Sequence, residues 1–289
     1  MAPMPNPEQK KKAETLRALH AGTGPLLLVN VWDVASARLI EEAGFPAIAT
    51  SSAGVAFAHG FPDGQKISRD RMLAAVADIA RAVKAPVTAD AEAGYGNTPE
   101  DAATTARGVI QAGAVGMNFE DASGDVGRPL VDLSLQLERI RAIRETAEEL
   151  GLPLVLNART DVYLLQVGEP GTRYDRTVQR LQAFANAGAD CAFAPGLRDA
   201  PTIGRLVADI RCPLNILAGP GSPSVAELAA LGVRRISLGS GPMRAGLGLL
   251  RRLAEELKGH GTYAALEGAP SHTEMNALMN ANQKTRSGI

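Results

Sequence analysis

Two carboxylates one residue apart, Asp90 and Glu92, lie in the run T-A-D-A-E-A-G-Y-G from Thr88 to Gly96. Side chains of an extended strand alternate faces with period two, so this spacing predicts that both acids point the same way. Two anions on one face repel each other unless a positive charge lies between them. Three other short runs carry related chemistry: Ser51-Ser52-Ala53-Gly54, Glu120-Asp121 and Arg159-Thr160-Asp161. Brought to one rim, they would set several acids against a single arginine. A hard divalent cation relieves such crowding, and magnesium takes one or two carboxylates directly while holding others through its waters. The planar fork of the arginine suits a substrate carboxylate, which the metal would chelate together with an adjacent oxo or hydroxy oxygen.

Each piece also has a plainer reading, which the residues alone leave open. Acids at strand ends often cap the following helix. Asp121 and Asp161 could pair with neighbouring basic groups, and Asp33, ahead of Ser36-Ala37-Arg38-Leu39, reads as a helix cap. His20, His260 and His272 fall in helices or tails and read as surface residues. His59, in A-H-G-F-P-D-G beside Asp63, is within reach of acid or base chemistry, although a loop-structural role is the stronger reading. The lysines, at 10, 11, 12, 66, 84, 258 and 284, all avoid the predicted strands, which speaks against a Schiff-base aldolase.

An αβ repeat must position these groups. E-E-A-G-F-P-A-I-A-T, I-Q-A-G-A-V-G-M-N-F-E, A-N-A-G-A-D-C-A-F-A-P and A-A-L-G-V-R-R-I-S-L-G each read as a helix ending at glycine (Gly44, Gly113, Gly188, Gly232) and turning into a buried strand. Strands are predicted to start near Leu26, Ala47, Val87, Val115, Leu154, Cys191, Leu214 and Arg235. Apolar stripes through Met72, Val76, Ile79 and Val83, and through Val178, Leu181 and Phe184, mark helices between them. Thr98-Pro99-Glu100-Asp101 is a helix start. Eight parallel strands alternating with helices predict an α/β fold, a (β/α)8 TIM-type barrel over 1–264, with a helical tail over 265–289 whose Met275, Leu278 and Met279 would pack on the barrel or on a neighbouring subunit. A doubly wound sheet fits less well, because no G-x-G-x-x-G follows the first strand. In barrels the active site sits at the C-terminal strand ends, where all the runs above fall. L-A-G-P-G-S-P-S and L-G-S-G-P-M-R resemble phosphate-cradling loops and keep a phosphosugar enzyme in competition, although tight turns explain them equally well.

Composition narrows the classes. A formal charge of -1 over 289 residues leaves no broad footprint for nucleic acid or anionic membrane. The start M-A-P-M-P-N-P-E-Q-K-K-K has no secretory pattern and no apolar run would cross a bilayer, so a soluble cytoplasmic protein is expected. Cys191 and Cys212 read as reduced packing residues.

From about Leu16 to Leu257 the ordered motifs resemble the isocitrate lyase and phosphoenolpyruvate mutase superfamily. N-V-W-D-V-A-S-A-R-L-I-E-E-A-G-F looks like its first βα unit, T-S-S-A-G-V-A like its substrate turn, G-F-P-D-G-Q-K-I-S like its Pro-Asp loop and T-A-D-A-E-A-G-Y-G like its metal motif, with N-F-E-D and N-A-R-T-D following in order. The resemblance implies Asp90 as direct Mg2+ ligand, with Asp63, Glu92 and Glu120 holding its waters. It implies Arg159 on the substrate carboxylate, Ser51, Ser52 and Ala53 as donors to substrate oxygens, and Asn215 near the substrate. Glu120, Arg159 and His59 are the candidate catalytic residues. It also implies a homodimer or homotetramer with C-terminal helices open to exchange between subunits. The implied activity is Mg-dependent carbon–carbon lysis of a small 2-hydroxy or 2-oxo carboxylic acid, by retro-aldol cleavage or decarboxylation, through an enolate-like intermediate. A C–P mutase or hydrolase of the phosphonopyruvate type, and a keto-acid-binding barrel with little turnover, are the alternatives. Two departures bear on this choice: the loop A-S-G-D-V-G-R-P lacks the cysteine that serves relatives as acid, and Pro195 replaces a glutamate of several lyases. Water, His59 and Tyr95 are the remaining proton sources.

Overall fold

The computed structural model describes residues 4–280. Among them nine parallel strands form one sheet: β1 (Leu26–Leu28), β2 (Asn30–Val31), β3 (Ile48–Thr50), β4 (Val87–Asp90), β5 (Gly116–Glu120), β6 (Val155–Arg159), β7 (Cys191–Phe193), β8 (Leu214–Leu217) and β9 (Arg235–Ser237). Their order is β1-β9-β8-β7-β6-β5-β4-β3-β2. β1 and β2 are successive pieces of one segment, the first paired with β9 and the second with β3. The sheet therefore curls round into a TIM-type barrel, and the predicted strand starts fall within about a residue of the observed ones.

Helices wrap it: α1 (Pro7–His20), α2 (Val34–Glu42), α3 (Ser52–Ala58), α4 (Arg69–Ala82), α5 (Pro99–Gln111), α6 (Leu133–Glu149), α7 (Arg173–Asn186), α8 (Ala200–Ile210), α9 (Val225–Ala230), α10 (Gly241–His260) and α11 (His272–Asn280). Asp33 and Thr98 start α2 and α5 through reciprocal capping boxes. Gly44, Gly113, Gly188 and Gly232 take the left-handed conformation after their helices, as required for the chain to turn back into a strand. In the described part of the tail, α11 packs on its own chain, where the Arg38 side chain donates to the carbonyls of Leu278 and Met279; residues 281–289 of the predicted tail lie outside the described residues.

The barrel interior departs from the branched apolar layers usual in this fold. Asn118, Asn157, Asn215 and Arg235 are buried within it. Arg235 Nη2 donates to Asn118 Oδ1 at 3.0 Å, and Nη1 lies 3.3 Å from His20 Nε2. His20 Nδ1 lies 2.8 Å from the Leu16 carbonyl, so Nδ1 carries the proton and Nε2 accepts from the arginine. This corrects the surface reading of His20, which is 5% exposed. A helix-terminal histidine gives no sign in sequence that a buried cation waits above it.

Burial, followed by the Arg235 charge, depresses the His20 pKa to about 4. The unfolded chain then takes up a proton near pH 6.5 that the folded chain refuses until about 4, so stability present above pH 6.5 is lost as pH falls. The loss approaches about 3 kcal/mol near pH 4. Urea unfolding of the parent and of His20→Gln between pH 7 and 4.5 should show a shallower acid decline in the variant; parallel declines would refute the assignment.

Candidate active site

Strand register explains why the chemically active residues meet. β5 and β6 align Glu120 with Arg159, and β4 aligns Asp90 with Asn118. At these strand ends Arg159 Nη1 lies 2.8 Å from Glu120 Oε2. Its Nε and Nη2 donate to Asp161 at 2.5 and 2.9 Å. Asp161 thus completes a buried fork-on-fork pair. The Nη hydrogens not turned to Asp161 are the ones left for another acceptor.

Asp90 ends β4 with its two oxygens in different surroundings. Oδ2 accepts from the amide and the hydroxyl of Ser52 at 3.1 and 2.7 Å. Oδ1 is buried without any hydrogen-bond partner among the described residues, an arrangement that is costly for a carboxylate. Ser51 Oγ caps α3 by accepting from Gly54 N at 3.1 Å. Both serine hydroxyls are therefore engaged within the protein, with Ala53 half-buried beside them.

Glu92 does not share a strand face with Asp90. β4 stops at Asp90, and Glu92 sits in the turn beyond it with φ 48°. The carboxylate comes back to the cluster through that left-handed turn, not through a strand face. Gln65 (φ 58°) and Tyr95 (φ 56°) are also left-handed, and all three residues lock together. Tyr95 Oη donates to Glu92 Oε1 at 2.6 Å, Gln65 N donates to Glu92 Oε2 at 2.5 Å, and Tyr95 N donates to Gln65 Oε1 at 2.5 Å. Strained residues persist only where surroundings over-determine them. Burial, with the charges of Asp90 and Asp63 adding to it, pushes the Glu92 pKa up to about 7. The Tyr95 hydroxyl is raised far above its usual value, first by burial and then by Glu92, which makes it a poor proton source.

Charge balance is the dominant property of this mouth. Burial raises Glu120 well above the usual carboxylate range despite Arg159, and Asp161, Asp90 and Glu92 add to the shift. Burial works against the Arg159 charge, but Glu120 and Asp161 overcome it and hold the guanidinium protonated. Asp63 stands exposed at the rim, yet loss of solvent around its carboxyl raises it too, helped by Asp90 and Asp161. The cluster is short of positive charge. No group of three or more carboxylate, imidazole or thiolate side chains among the described residues converges as a ready ligand cage. A cation held by one direct carboxylate and otherwise by water needs no such cage, and the orphaned Asp90 Oδ1 fits that role.

The sequence model of phosphoenolpyruvate phosphomutase matches residues 16–258. The chain belongs to the phosphoenolpyruvate mutase and isocitrate lyase superfamily. A Burkholderia cenocepacia J2315 protein crystallised as a candidate lyase/mutase is 40% identical with TM-score 0.90, covering 96% of this chain and 98% of that one. An uncharacterized Mycobacterium tuberculosis protein is 37% identical over 79% of this chain and 83% of its own length. Oxaloacetate decarboxylase of Bradyrhizobium diazoefficiens is 26% identical, with 96% of each chain covered.

Asn215 lies level with Arg159 across the barrel, since β7 aligns Phe193 with both. Asn215 is fully buried and pairs with Ser237 at 3.3 Å. His59 follows α3, exposed, and its ring makes no hydrogen bond among the described residues. The amides of Leu238 and Gly239, which a phosphate would need after β9, already donate to Asn30 Oδ1 at 2.8 Å. The sequence reading missed Arg139 and Gln136 on α6. Arg139 is fully buried, its guanidinium 4.8 Å from the Phe119 ring centroid. It donates to the carbonyls of Ala93 and Gly96, while Gln136 Nε2 donates to the Glu120 carbonyl at 3.1 Å. Together they brace the acidic turn from behind. A charged residue in a long helix reads as solvated, so no local signal could have found them.

Proposed function

We propose that this enzyme is a Mg-dependent lyase that breaks a carbon–carbon bond of a small 2-oxo or 2-hydroxy carboxylic acid through an enolate-like intermediate, with decarboxylation of an oxaloacetate-like acid favoured. The observation that carries the reading is the unpartnered Asp90 Oδ1 in a cluster whose acids outnumber its one arginine. Asp90 would hold the metal directly, with Asp63, Glu92 and Glu120 acting through water. Bound there, magnesium would supply Lewis-acid charge at the oxygen that gains electrons. Arg159 binds and orients the substrate carboxylate, and the α3 turn at Ser52 and Ala53 lines the same mouth. Glu120 keeps Arg159 in place. The loop at 122–130 offers no cysteine, lysine or histidine to protonate a leaving fragment. Carbon dioxide leaves unprotonated, so decarboxylation asks least of this site. The relation to an oxaloacetate decarboxylase supports the same choice.

The test is release of pyruvate or glyoxylate from oxaloacetate, methylisocitrate, isocitrate and phosphonopyruvate, with and without Mg2+. Magnesium-dependent pyruvate release from oxaloacetate is expected. Tight binding of 2-oxo acids with no turnover of any substrate would refute the lyase and favour a binding barrel.

A second copy of the chain is the proposed cover of α10. Only Met243 of this helix is buried. Leu247, Leu249, Leu250 and Leu257 are exposed, and 247, 250 and 257 share one helical face. Sedimentation should show a dimer or tetramer that Leu250→Glu shifts toward monomer. A monomeric parent would end this proposal. No helix among the described residues is long and apolar enough to cross a membrane.

A further inference from the structure

Directly behind the site lies an ion pair that contributes nothing to its exposed chemistry. Asp121 has no solvent exposure, Arg180 has 7%, and Arg180 Nε donates to Asp121 Oδ2 at 2.6 Å. A buried pair of this kind contributes little stability over apolar residues of the same volume. Its connections therefore say more than its energy. On one side, Asp121 Oδ2 accepts from the Thr160 hydroxyl at 2.6 Å and Oδ1 accepts from Asp161 N at 2.9 Å. Asp121 N donates to the Arg159 carbonyl at 3.2 Å. The Asp161 residue fixed in this way is the one whose carboxylate grips the Arg159 guanidinium.

On the other side the same pair holds Val131 twice. Val131 N donates to the Asp121 carbonyl at 2.8 Å, and the Val131 carbonyl accepts from Arg180 Nη2 at 2.8 Å. Val131 closes the loop at 122–130. The legs of that loop join through a bridge between Ala122 and Leu130 and through Ser123 N donating to Pro129 O at 3.0 Å. At its tip Val126 is 98% exposed. One buried pair thus anchors the base of an exposed loop and the residue that aims the arginine.

We propose that the Asp121–Arg180 pair is a positioning device that couples the seating of the 122–130 loop to the orientation of Arg159, so that loop order and carboxylate binding rise and fall together. The inference rests on the reading that Arg159 binds a substrate carboxylate. The loop base and the arginine are joined through one contiguous buried hydrogen-bond network.

The test uses the full chain with Asp121→Asn, Arg180→Met and Arg180→Lys. Calorimetry reads the affinity for Mg2+ alone and for oxalate with Mg2+, and hydrogen exchange reads the amides of residues 123–131. In the parent, oxalate should slow exchange in that segment. In Asp121→Asn and Arg180→Met, exchange without ligand should quicken and oxalate affinity should fall about tenfold or more, with Mg2+ affinity nearly unchanged. Arg180→Lys, which keeps the charge but loses the fork, should fall between parent and Arg180→Met. If Arg180→Met does not fold, the isosteric Asp121→Asn decides. A lower thermal midpoint with parental oxalate affinity and loop exchange would make the pair merely structural and overturn the coupling. Loop loosening without loss of oxalate affinity would overturn it too. A parent that binds no oxalate would instead refute the keto-acid reading, and this inference with it.

Discussion

Asp90→Asn should abolish magnesium-dependent binding of oxalate, by about a hundredfold or more, and leave the barrel folded. Oδ2 of Asp90 is occupied by the Ser52 amide and hydroxyl, and Oδ1 has no partner among the described residues. An asparagine can keep its oxygen on Ser52 while presenting a neutral amide where the orphaned anion was, so geometry is preserved and the charge that attracts a cation is lost. The expected signature has two parts. In the parent, magnesium at about a hundred times its dissociation constant should raise unfolding free energy by about 2.7 kcal/mol, and the variant should lose this increment. Without magnesium the variant should be at least as stable as the parent, because one member of a crowded anionic cluster has been neutralised. Circular dichroism confirms the fold, and calorimetry with Mg2+ and oxalate measures the binding. Unchanged metal-dependent binding in Asp90→Asn would show that the metal lies elsewhere.

Elements carried by local patterns were legible in the sequence. Helix caps at Asp33 and Thr98, the helix-ending glycines and the strand starts depend on residues close in the chain, and each took the expected form. The candidate site was legible as a set of residue types because strand ends deliver them in order around a barrel. What the sequence hid depends on contacts between distant segments. Asp161 read as an acid that merely pairs with a base; it does, but the base is Arg159 itself. Glu92 read as the second acid of a strand face and is a left-handed turn residue held by Gln65, nearly thirty positions away in sequence. Arg139, Arg235 and His20 are charged or ionisable side chains that ordinary burial statistics place outside, and here they are inside. In each case a buried partner from another strand or loop reverses the local preference, and no periodicity records that partner.

Arg159→Met should move two affinities in opposite directions. The guanidinium is the positive group set directly among Glu120, Asp161 and Asp90. Its charge repels any divalent cation at Asp90, so its removal should strengthen binding of Mg2+ alone. The same change removes the donors for a substrate carboxylate. Two charge-assisted hydrogen bonds at about 1.5–3 kcal/mol each correspond to a loss of oxalate affinity on the order of 10²–10⁴-fold. Stability at neutral pH should also drop, by about 3–5 kcal/mol, because Glu120 and Asp161 are left buried without their partner. That loss should shrink on acidification, since Glu120 is already raised well above the usual carboxylate range and protonates readily once the arginine is gone. Arg159→Lys separates charge from geometry: it restores the cation, and with it much of the stability and the weaker metal binding, but a single ammonium cannot grip Asp161 and a substrate carboxylate together. Titration of Mg2+ alone, then of oxalate at saturating Mg2+, in the parent and both variants distinguishes these roles. Loss of both affinities together in Arg159→Met would mean that the arginine holds up the metal site and does not recognise the acid.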